Sequence, residues 1–220
     1  MSSSSTSTIK SSWDDMTVGD ILFMKETEKL QLATDDEKNM MVAARLAGID
    51  YKDFIQLPLS EVRKYMDNTE FLFTKPEPKK ARNKYVINGR TYKLFKGNEE
   101  MTVAQYIDWQ AIQADGFDKR PGEMLAIVLV PDKHQYNDGY DKDQQIEDML
   151  DMSVTDALGV CDFFTKRLSK SINLILTALK IRMKWMRITA RKEDREMMKA
   201  LEIQMRLYLD QLNRIYGWML

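Results

Sequence analysis

The chain has few of the residues that most often carry chemistry. Its 220 residues include one cysteine, Cys161, and one histidine, His134. A single cysteine excludes an internal disulfide, and one cysteine with one histidine cannot supply the usual structural zinc ligands. The sequence contains neither a Walker loop nor Gly-x-Gly-x-x-Gly, so it lacks both common phosphate cradles. We therefore expect no metal and no cofactor.

Net charge and long apolar runs are also scarce. The 33 basic and 34 acidic residues nearly cancel, so the whole chain is not electrostatically attracted to nucleic acid. No apolar run approaches the roughly 18 residues that span a bilayer, and the Ser/Thr-rich N-terminus lacks the charged and apolar regions of a secretory signal. The composition predicts a soluble, intracellular protein with no membrane partner.

His134 is the natural starting point for a catalytic hypothesis. No nucleophile motif such as Gly-x-Ser-x-Gly accompanies it, so a Ser-His-Asp mechanism has no support. The surrounding loop, residues 132–143, is rich in Asp, but a calcium loop with Gly139 as its glycine would place His134 and Tyr136 at ligand positions. We predict a solvated acidic turn there, and a protein that is not an enzyme.

Capping signals predict about three short helices before residue 75. Thr17 and Thr34 are each followed three residues later by an acidic residue, which is the spacing of a capping box. A third helix is expected over Glu61–Met66, with Ser60 as its N-cap.

Two segments around these helices are predicted to lack regular structure. Residues 1–12 are rich in Ser and Thr and offer little apolar area to offset chain entropy, so we expect disorder there. Residues 75–82 contain two prolines and four basic residues, which is typical of a linker.

The clearest local pattern lies at residues 85–110. Two β-rich runs, Tyr85–Ile87 and Arg90–Phe95, flank Asn88-Gly89, a dipeptide that tolerates the positive φ angles of a type I′ turn. Residues 102–105 then have the spacing of a further capping box. The segment is predicted to form a hairpin followed by a helix, a ββα unit.

The most apolar run, Met124–Val130, is short enough to be a buried strand or a buried helix. Pro121 followed by Glu123 is a typical helix start, and it favours the helix.

Residues 153–220 contain no proline, and their apolar residues recur at helical spacing, which predicts one or two long helices. Near the C-terminus the spacing alternates between three and four over three heptads, as in a coiled coil. Such a surface contacts either a helix of another copy or protein, or the chain itself in an antiparallel helical hairpin, and both alternatives stay open. We define the seam as Met198, Leu201, Met205, Tyr208, Leu212 and Ile215.

A row of basic residues precedes the seam. Their spacing of 4, 3, 4 and 4 places them along one face of a helix, where they could contact nucleic-acid phosphates or an acidic protein. A solvated helix face is the commoner explanation of such a row. The alternative function is therefore that of a nucleic-acid-associated virion or regulatory protein. We define the basic stripe as Lys180, Lys184, Arg187, Arg191 and Arg195.

Together these patterns predict a predominantly α-helical α+β fold. A disordered N-terminus, residues 1–12, precedes a helical domain, residues 13–152, in which a small β-hairpin packs on helices. Residues 153–220 form a long helical C-terminal region.

Five short motifs of the sequence form a recognisable set. They are Tyr85-Val-Ile-Asn-Gly-Arg-Thr-Tyr-Lys-Leu, Met101-Thr-Val-Ala-Gln-Tyr-Ile-Asp-Trp, Leu57-Pro-Leu-Ser-Glu-Val, Pro131…Tyr136 and Cys161-Asp-Phe-Phe. This set resembles small morphogenesis and virion proteins of tailed bacteriophages, in particular phages of Bacteroidetes-type hosts, over roughly residues 14–168. The resemblance implies a non-enzymatic role in head or tail assembly, such as that of a tail-assembly chaperone or a virion component. It also implies other phage proteins as partners, an oligomeric state, and a location in the host cytoplasm or the virion.

Overall fold

The computed structural model describes residues 9–95, 102–115, 119–164 and 166. The chain divides into two compact units, Met1–Val160 and Cys161–Leu220.

In the second unit the described residues, 161–164 and 166, are helical. Lys166 Nζ lies 2.6 Å from a carboxylate oxygen of Asp162, one helical turn earlier. The seam and the basic stripe lie outside the described residues.

The first two helices of the first unit start at the predicted caps. The backbone N–H of Thr17 donates to Asp20 Oδ2 at 2.9 Å, and that of Thr34 donates to Glu37 Oε2 at 2.8 Å. Both predicted capping boxes are therefore confirmed. The helices are α1 (Val18–Glu28), α2 (Asp35–Ala47), α3 (Tyr51–Phe54) and α4 (Leu59–Asp67), followed by a 3-10 turn at Glu70–Phe73.

The prediction that Ser60 caps the third helix is wrong. Pro58 occupies the N-cap, and its carbonyl oxygen accepts from the backbone N–H groups of Glu61 at 2.8 Å and Val62 at 3.1 Å. The ring of proline fixes φ near the helical value, so the helix starts two residues earlier than predicted. The four-residue helix α3 was not predicted from the sequence.

A small antiparallel sheet follows. Its strands, in order across the sheet, are β1 (Lys84–Ile87), β2 (Arg90–Leu94) and β3 (Leu129–Pro131). Asn88 and Gly89 join the first two strands with φ angles of 49° and 75°, which confirms the hairpin and its turn. In the third strand, Leu129 pairs with Leu94 of the second.

Helices α5 (Val103–Asp115) and α6 (Pro121–Val128) lie between the second and third strands in the chain, and α7 (Lys142–Leu150) follows the third strand. Helix α6 packs against α5, α7 and β3. The preference for a helix in the apolar run is confirmed as far as Val128, but the run then continues as β3. Helix α7 was not predicted. It begins where the side chain of Asp141 accepts from the backbone N–H of Gln144 at 3.1 Å. The fold is α+β and predominantly helical, as predicted.

Residues 75–82 have no regular secondary structure, yet they lie against helical residues 154–160. The backbone N–H of Lys79 donates to the carbonyl oxygen of Thr155 at 3.0 Å, and Arg82 pairs with Asp156 at 2.6 Å. A Cβ atom on residue 159 would overlap the Lys79 carbonyl oxygen, so only glycine fits there. The segment predicted as a linker is thus mostly exposed but contacts these helical residues at Lys79 and Arg82.

The structure contains no helix in its described ranges that combines the length and the apolar character needed to cross a membrane.

Candidate functional site

A cleft of about 220 Å³ lies between helices α5, α6 and α7 and the loop before α7. An engineered cavity of about 150 Å³ holds a benzene molecule, so this cleft has room for a large apolar side chain. Its apolar lining comes from all three helices: Ala111, Ile112, Ala126, Ile127 and Ile146.

One side of the cleft carries Asp108, Tyr136 and Lys142. The hydroxyl of Tyr136 donates to Asp108 Oδ2 at 2.6 Å. Burial, together with this bond to a carboxylate, raises the pKa of Tyr136 well above its ordinary value, so the hydroxyl stays protonated. Lys142 Nζ is 3.8 Å from Asp108 Oδ2, beyond hydrogen-bond distance, and 5.3 Å from the centroid of the Tyr136 ring.

A second charged pair lines the cleft at the start of α6. Arg120 Nε donates to Glu123 Oε1 at 2.5 Å, and the guanidinium makes a further bond to the other carboxylate oxygen. The side chains of Asp108, Lys142, Arg120 and Glu123 are all partly exposed. The cleft therefore has an apolar interior and two pairs of opposite charges, with no net charge.

Gln145 fixes the buried side of the cleft. Its side chain is 2% exposed, and its Nε2 donates to the carbonyl oxygens of Ala126 at 2.9 Å and Leu129 at 2.6 Å. These bonds join α7 to the end of α6 and to β3. Two of the helices that line the cleft are thus joined by hydrogen bonds of a buried side chain.

The solvent side of α5 continues this surface. Val103, Ile107 and Ala111 are four residues apart, so they form one row along the helix, and all three are exposed. The exposed fraction is 76% for Val103 and 59% for Ile107. We call this row the α5 ridge. Its last residue also lines the cleft.

A very different polar cluster surrounds Asp148 on α7. Its carboxylate is fully buried and accepts from Arg90 at 2.9 and 3.0 Å, from Asn88 at 3.1 Å, and from Gln144 at 3.3 Å. The hydroxyl of Tyr92 donates to it as well. Burial alone would raise the pKa of Asp148, but these donors outweigh it and lower the pKa. The cluster joins the hairpin to α7.

A second buried carboxylate, Asp20, joins the N-terminal segment to α2. Lys10 pairs with one oxygen, and Arg45 Nε lies 3.0 Å from the other. Burial opposes ionisation, but the bonds from Lys10 and the backbone of Thr17 lower the pKa of Asp20 below its ordinary value. Asp20 and Asp148 both have their acceptor sites filled by neighbouring donors, so we assign both a structural role.

His134 lies in the exposed loop before α7. Its Nδ1 is 3.3 Å from the carbonyl oxygen of Asp138, and its ring packs edge-on against Tyr140. Across the described ranges, no group of three or more His, Cys, Asp or Glu side chains is arranged to hold a metal ion.

The sequence did not indicate the cleft or the α5 ridge. The cleft forms where three helices that are separate in the chain converge, and one of them, α7, was not predicted. The exposed row Val103, Ile107 and Ala111 was visible as an i, i+4, i+8 pattern, but from sequence alone such a row reads as a buried face. The seam and the basic stripe are untested by the structure because they lie outside its described ranges.

Comparison with known proteins gives no match to a family model, to a curated protein or to a solved structure. The function therefore has to be argued from the residues of this chain.

Proposed function

We propose that this protein is a non-enzymatic assembly protein of a tailed bacteriophage that acts through helical protein–protein contacts. Its role would be that of a tail-assembly chaperone or a head–tail or virion component. It would act in the host cytoplasm, with other phage assembly proteins or further copies of itself as partners.

The observation that carries this proposal is the seam. Its residues follow a heptad spacing over three heptads and are all apolar or aromatic, as in helices that pack against another helix. Two of the six are methionines, whose flexible side chains adapt to more than one partner surface. The phage assignment rests on the resemblance of the central motifs.

The polar groups of the first unit support a structural role over a catalytic one. The buried carboxylates Asp148 and Asp20 are saturated by donors, whereas a catalytic carboxylate needs an acceptor site open to a substrate. Lys142 and Asp108 are the more accessible pair, and they lie beside an apolar cleft suited to a side chain.

Light scattering tests the contact. We expect the wild-type chain to be larger than a monomer, or to bind a partner, and the double variant Leu201→Lys/Leu212→Lys to lose this association because lysine is costly to bury in an apolar interface. The matched control is Lys184→Glu/Arg187→Glu, which changes two residues of the basic stripe and leaves the seam intact. A wild-type chain that stays monomeric and binds no virion protein contradicts the proposal.

The phage assignment has an independent test in the genome. We expect the genes on either side of this one to encode head or tail proteins. Neighbours that encode metabolic enzymes in a bacterial chromosome would contradict it.

The spacing of the basic stripe supports the alternative, a nucleic-acid-associated protein. In that case the chain binds DNA at low salt, the affinity falls steeply as salt rises, and Lys184→Glu/Arg187→Glu abolishes binding. Absence of DNA binding at low salt removes this alternative.

A further inference from the structure

The charges of the chain nearly cancel, but they are unevenly distributed along it. Residues 78–94, which include the first two strands, contain six basic residues and no acidic one, and the rest of the chain has seven more acidic than basic residues. Carboxylates of the first unit pair with four of the six basic residues. Within the described part of the chain, no carboxylate lies within ion-pair distance of the other two, Lys80 and Lys93. This segment therefore keeps an excess of positive charge.

Three lysines gather around Asp132 at the solvent-facing side of the sheet. Lys84 of β1 is directly opposite Lys93 of β2, and both alternate along their strands with buried residues. Asp132, which follows β3, accepts from Lys84 Nζ at 2.6 Å, and this bond holds the pKa of Asp132 below its ordinary value. The charges of Lys93 and Lys133 lower that pKa further, so both lie near the carboxylate. One carboxylate thus serves three cations, which we call the lysine face: Lys84, Lys93 and Lys133.

The lysine face is costly to the fold in two separate ways. Like charges directly opposite each other on neighbouring strands, such as Lys84 and Lys93, are destabilising. Lys133 has a φ of 78° in a turn that is closed by the bond from the backbone N–H of His134 to the carbonyl oxygen of Pro131 at 3.1 Å. A positive φ at the third position of a turn favours glycine or asparagine over lysine. Stability does not account for these lysines, and local costs that converge at one place indicate a function.

The composition of this surface favours phosphates over a protein or a membrane. Lysine is depleted in protein–protein interfaces, which use aromatic, methionine and arginine side chains as anchors. On the same side of β1 and β2 the other residues are Val86 and Thr91, so these strands offer no aromatic anchor and little apolar surface to insert into a membrane. Lysine and threonine are among the side chains that contact phosphate oxygens of DNA.

The position of the aromatic residues of the hairpin selects a duplex over a single strand. Tyr85 and Tyr92 lie on the other side of the sheet and are 3% and 1% exposed, whereas proteins that bind single strands stack the bases on exposed aromatic rings. Duplex RNA is recognised mostly through its shape and its 2′-hydroxyls. The lysine face offers mainly point charges, so double-stranded DNA is the ligand that it fits.

We propose that the lysine face binds the phosphate backbone of double-stranded DNA without regard to sequence. The site is separate from the basic stripe. The inference goes beyond the proposed function and rests on neither the seam nor the resemblance to phage proteins, so it stands or fails independently of them.

Fluorescence anisotropy of the full chain with a labelled DNA duplex of random sequence tests this site. The test variant is Lys93→Gln/Lys133→Asn, which removes two charges and keeps the ion pair of Lys84. We expect its affinity at about 50 mM salt to fall by about tenfold or more, because two phosphate contacts are lost. The slope of log affinity against log salt should fall in magnitude by about 2, or about 1 for each lost contact.

Two controls separate binding from total charge and from folding. Lys52→Gln/Lys64→Gln removes two exposed lysines of α3 and α4 and should retain wild-type binding. In thermal unfolding, Lys93→Gln/Lys133→Asn should have a midpoint at or above that of wild type, because both changes relieve a local cost. A lower midpoint together with weaker binding would mean that these lysines support the fold, and it would overturn the inference.

Other outcomes also overturn it. A wild-type chain that does not bind the duplex at low salt has no such site. If Lys93→Gln/Lys133→Asn binds as wild type does and Lys184→Glu/Arg187→Glu does not bind, the DNA site is the basic stripe. If polyglutamate or an RNA duplex displaces the labelled DNA more readily than unlabelled DNA does, the ligand is an acidic protein or RNA. If the wild-type chain binds phosphatidylserine vesicles but not the duplex, the ligand is a membrane surface.

Discussion

Asp148 and Asp108 are both carboxylates that accept from a tyrosine hydroxyl, but they differ in their burial and in the number of donors that contact them. Asp148 is fully buried and accepts from Arg90, Asn88 and Gln144 in addition to Tyr92. Asp108 is partly exposed, and Lys142 Nζ lies 3.8 Å from its Oδ2.

The difference separates groups that hold the fold from groups that remain accessible to a partner. A buried carboxylate stays ionised only when donors fill its acceptor sites, and removing them leaves an uncompensated charge. An exposed pair in water contributes little to stability. The Asp148 cluster therefore stabilises the unit, while the cleft beside Asp108 is available for contact.

The largest loss of stability is expected from Asp148→Asn. We expect the free energy of unfolding to fall by about 3 kcal/mol, because the amide cannot satisfy the donors of Arg90 and Tyr92 and brings a donor of its own. Urea unfolding at pH 7 measures the change.

The matched control is Asp108→Asn, which retains an acceptor for Tyr136 at a partly exposed position. Its free energy of unfolding should stay within about 0.5 kcal/mol of wild type. Equal losses for the two variants would contradict the distinction between a buried carboxylate whose acceptor sites are filled and a partly exposed carboxylate.

Gly159→Ala probes the contact between Lys79 and helical residues 154–160. Helix propensity alone predicts that alanine stabilises a helix by about 1 kcal/mol relative to glycine. We expect the opposite sign, a loss of about 2 kcal/mol, because the new methyl group would overlap the Lys79 carbonyl oxygen. A thermal melt that shows stabilisation would mean that residues 75–82 do not pack on the helix in solution.

The pH dependence of stability follows from the same carboxylates. The pKa values of Asp148 and Asp20 are lowered in the folded state, so the unfolded chain binds protons first as the pH falls. Their stabilisation is therefore complete above an unfolded pKa of about 4 and is lost as the pH falls through the folded values. Urea midpoints between pH 7 and pH 2.5 should decline below about pH 4. The decline should be smaller in Asp148→Asn, and an equal decline in both proteins would contradict this assignment.

A smaller loss than that for Gly159→Ala is expected at the hairpin turn. Gly89 has a φ of 75°, which alanine adopts only with strain, so Gly89→Ala should lower the free energy of unfolding by about 1 kcal/mol. A Cβ there would meet open space, so the change isolates backbone conformation from packing. A neutral result in urea unfolding would argue against the type I′ turn.

The sequence predicted those features that depend only on residues close together in the chain. The Asn88-Gly89 turn and the caps at Thr17 and Thr34 each depend on residues at most three positions apart, and all three are confirmed. The start of α4 was misplaced because Ser60 is a strong N-cap type, while Pro58, two residues earlier, is the N-cap and its carbonyl oxygen accepts the first helical hydrogen bonds.

Features that depend on distant residues were not predictable in the same way. Leu129 pairs with Leu94 in the sheet, and nothing near either residue indicates that a helical run should end as a strand. Asp148 contacts Asn88 and Arg90, which lie some 60 positions away in the chain. The cleft requires three helices to converge, so it became visible only with the fold.

Hydrogen–deuterium exchange of the full chain at low and high protein concentration tests the central claim most directly. If the seam is the contact surface of the chain, backbone amides of residues 198–215 become more protected as the chain associates. Exchange in α7, residues 142–150, should change little around Asp148, because donors of the same chain already fill the acceptor sites of that carboxylate. Association without added protection of residues 198–215 would contradict the account.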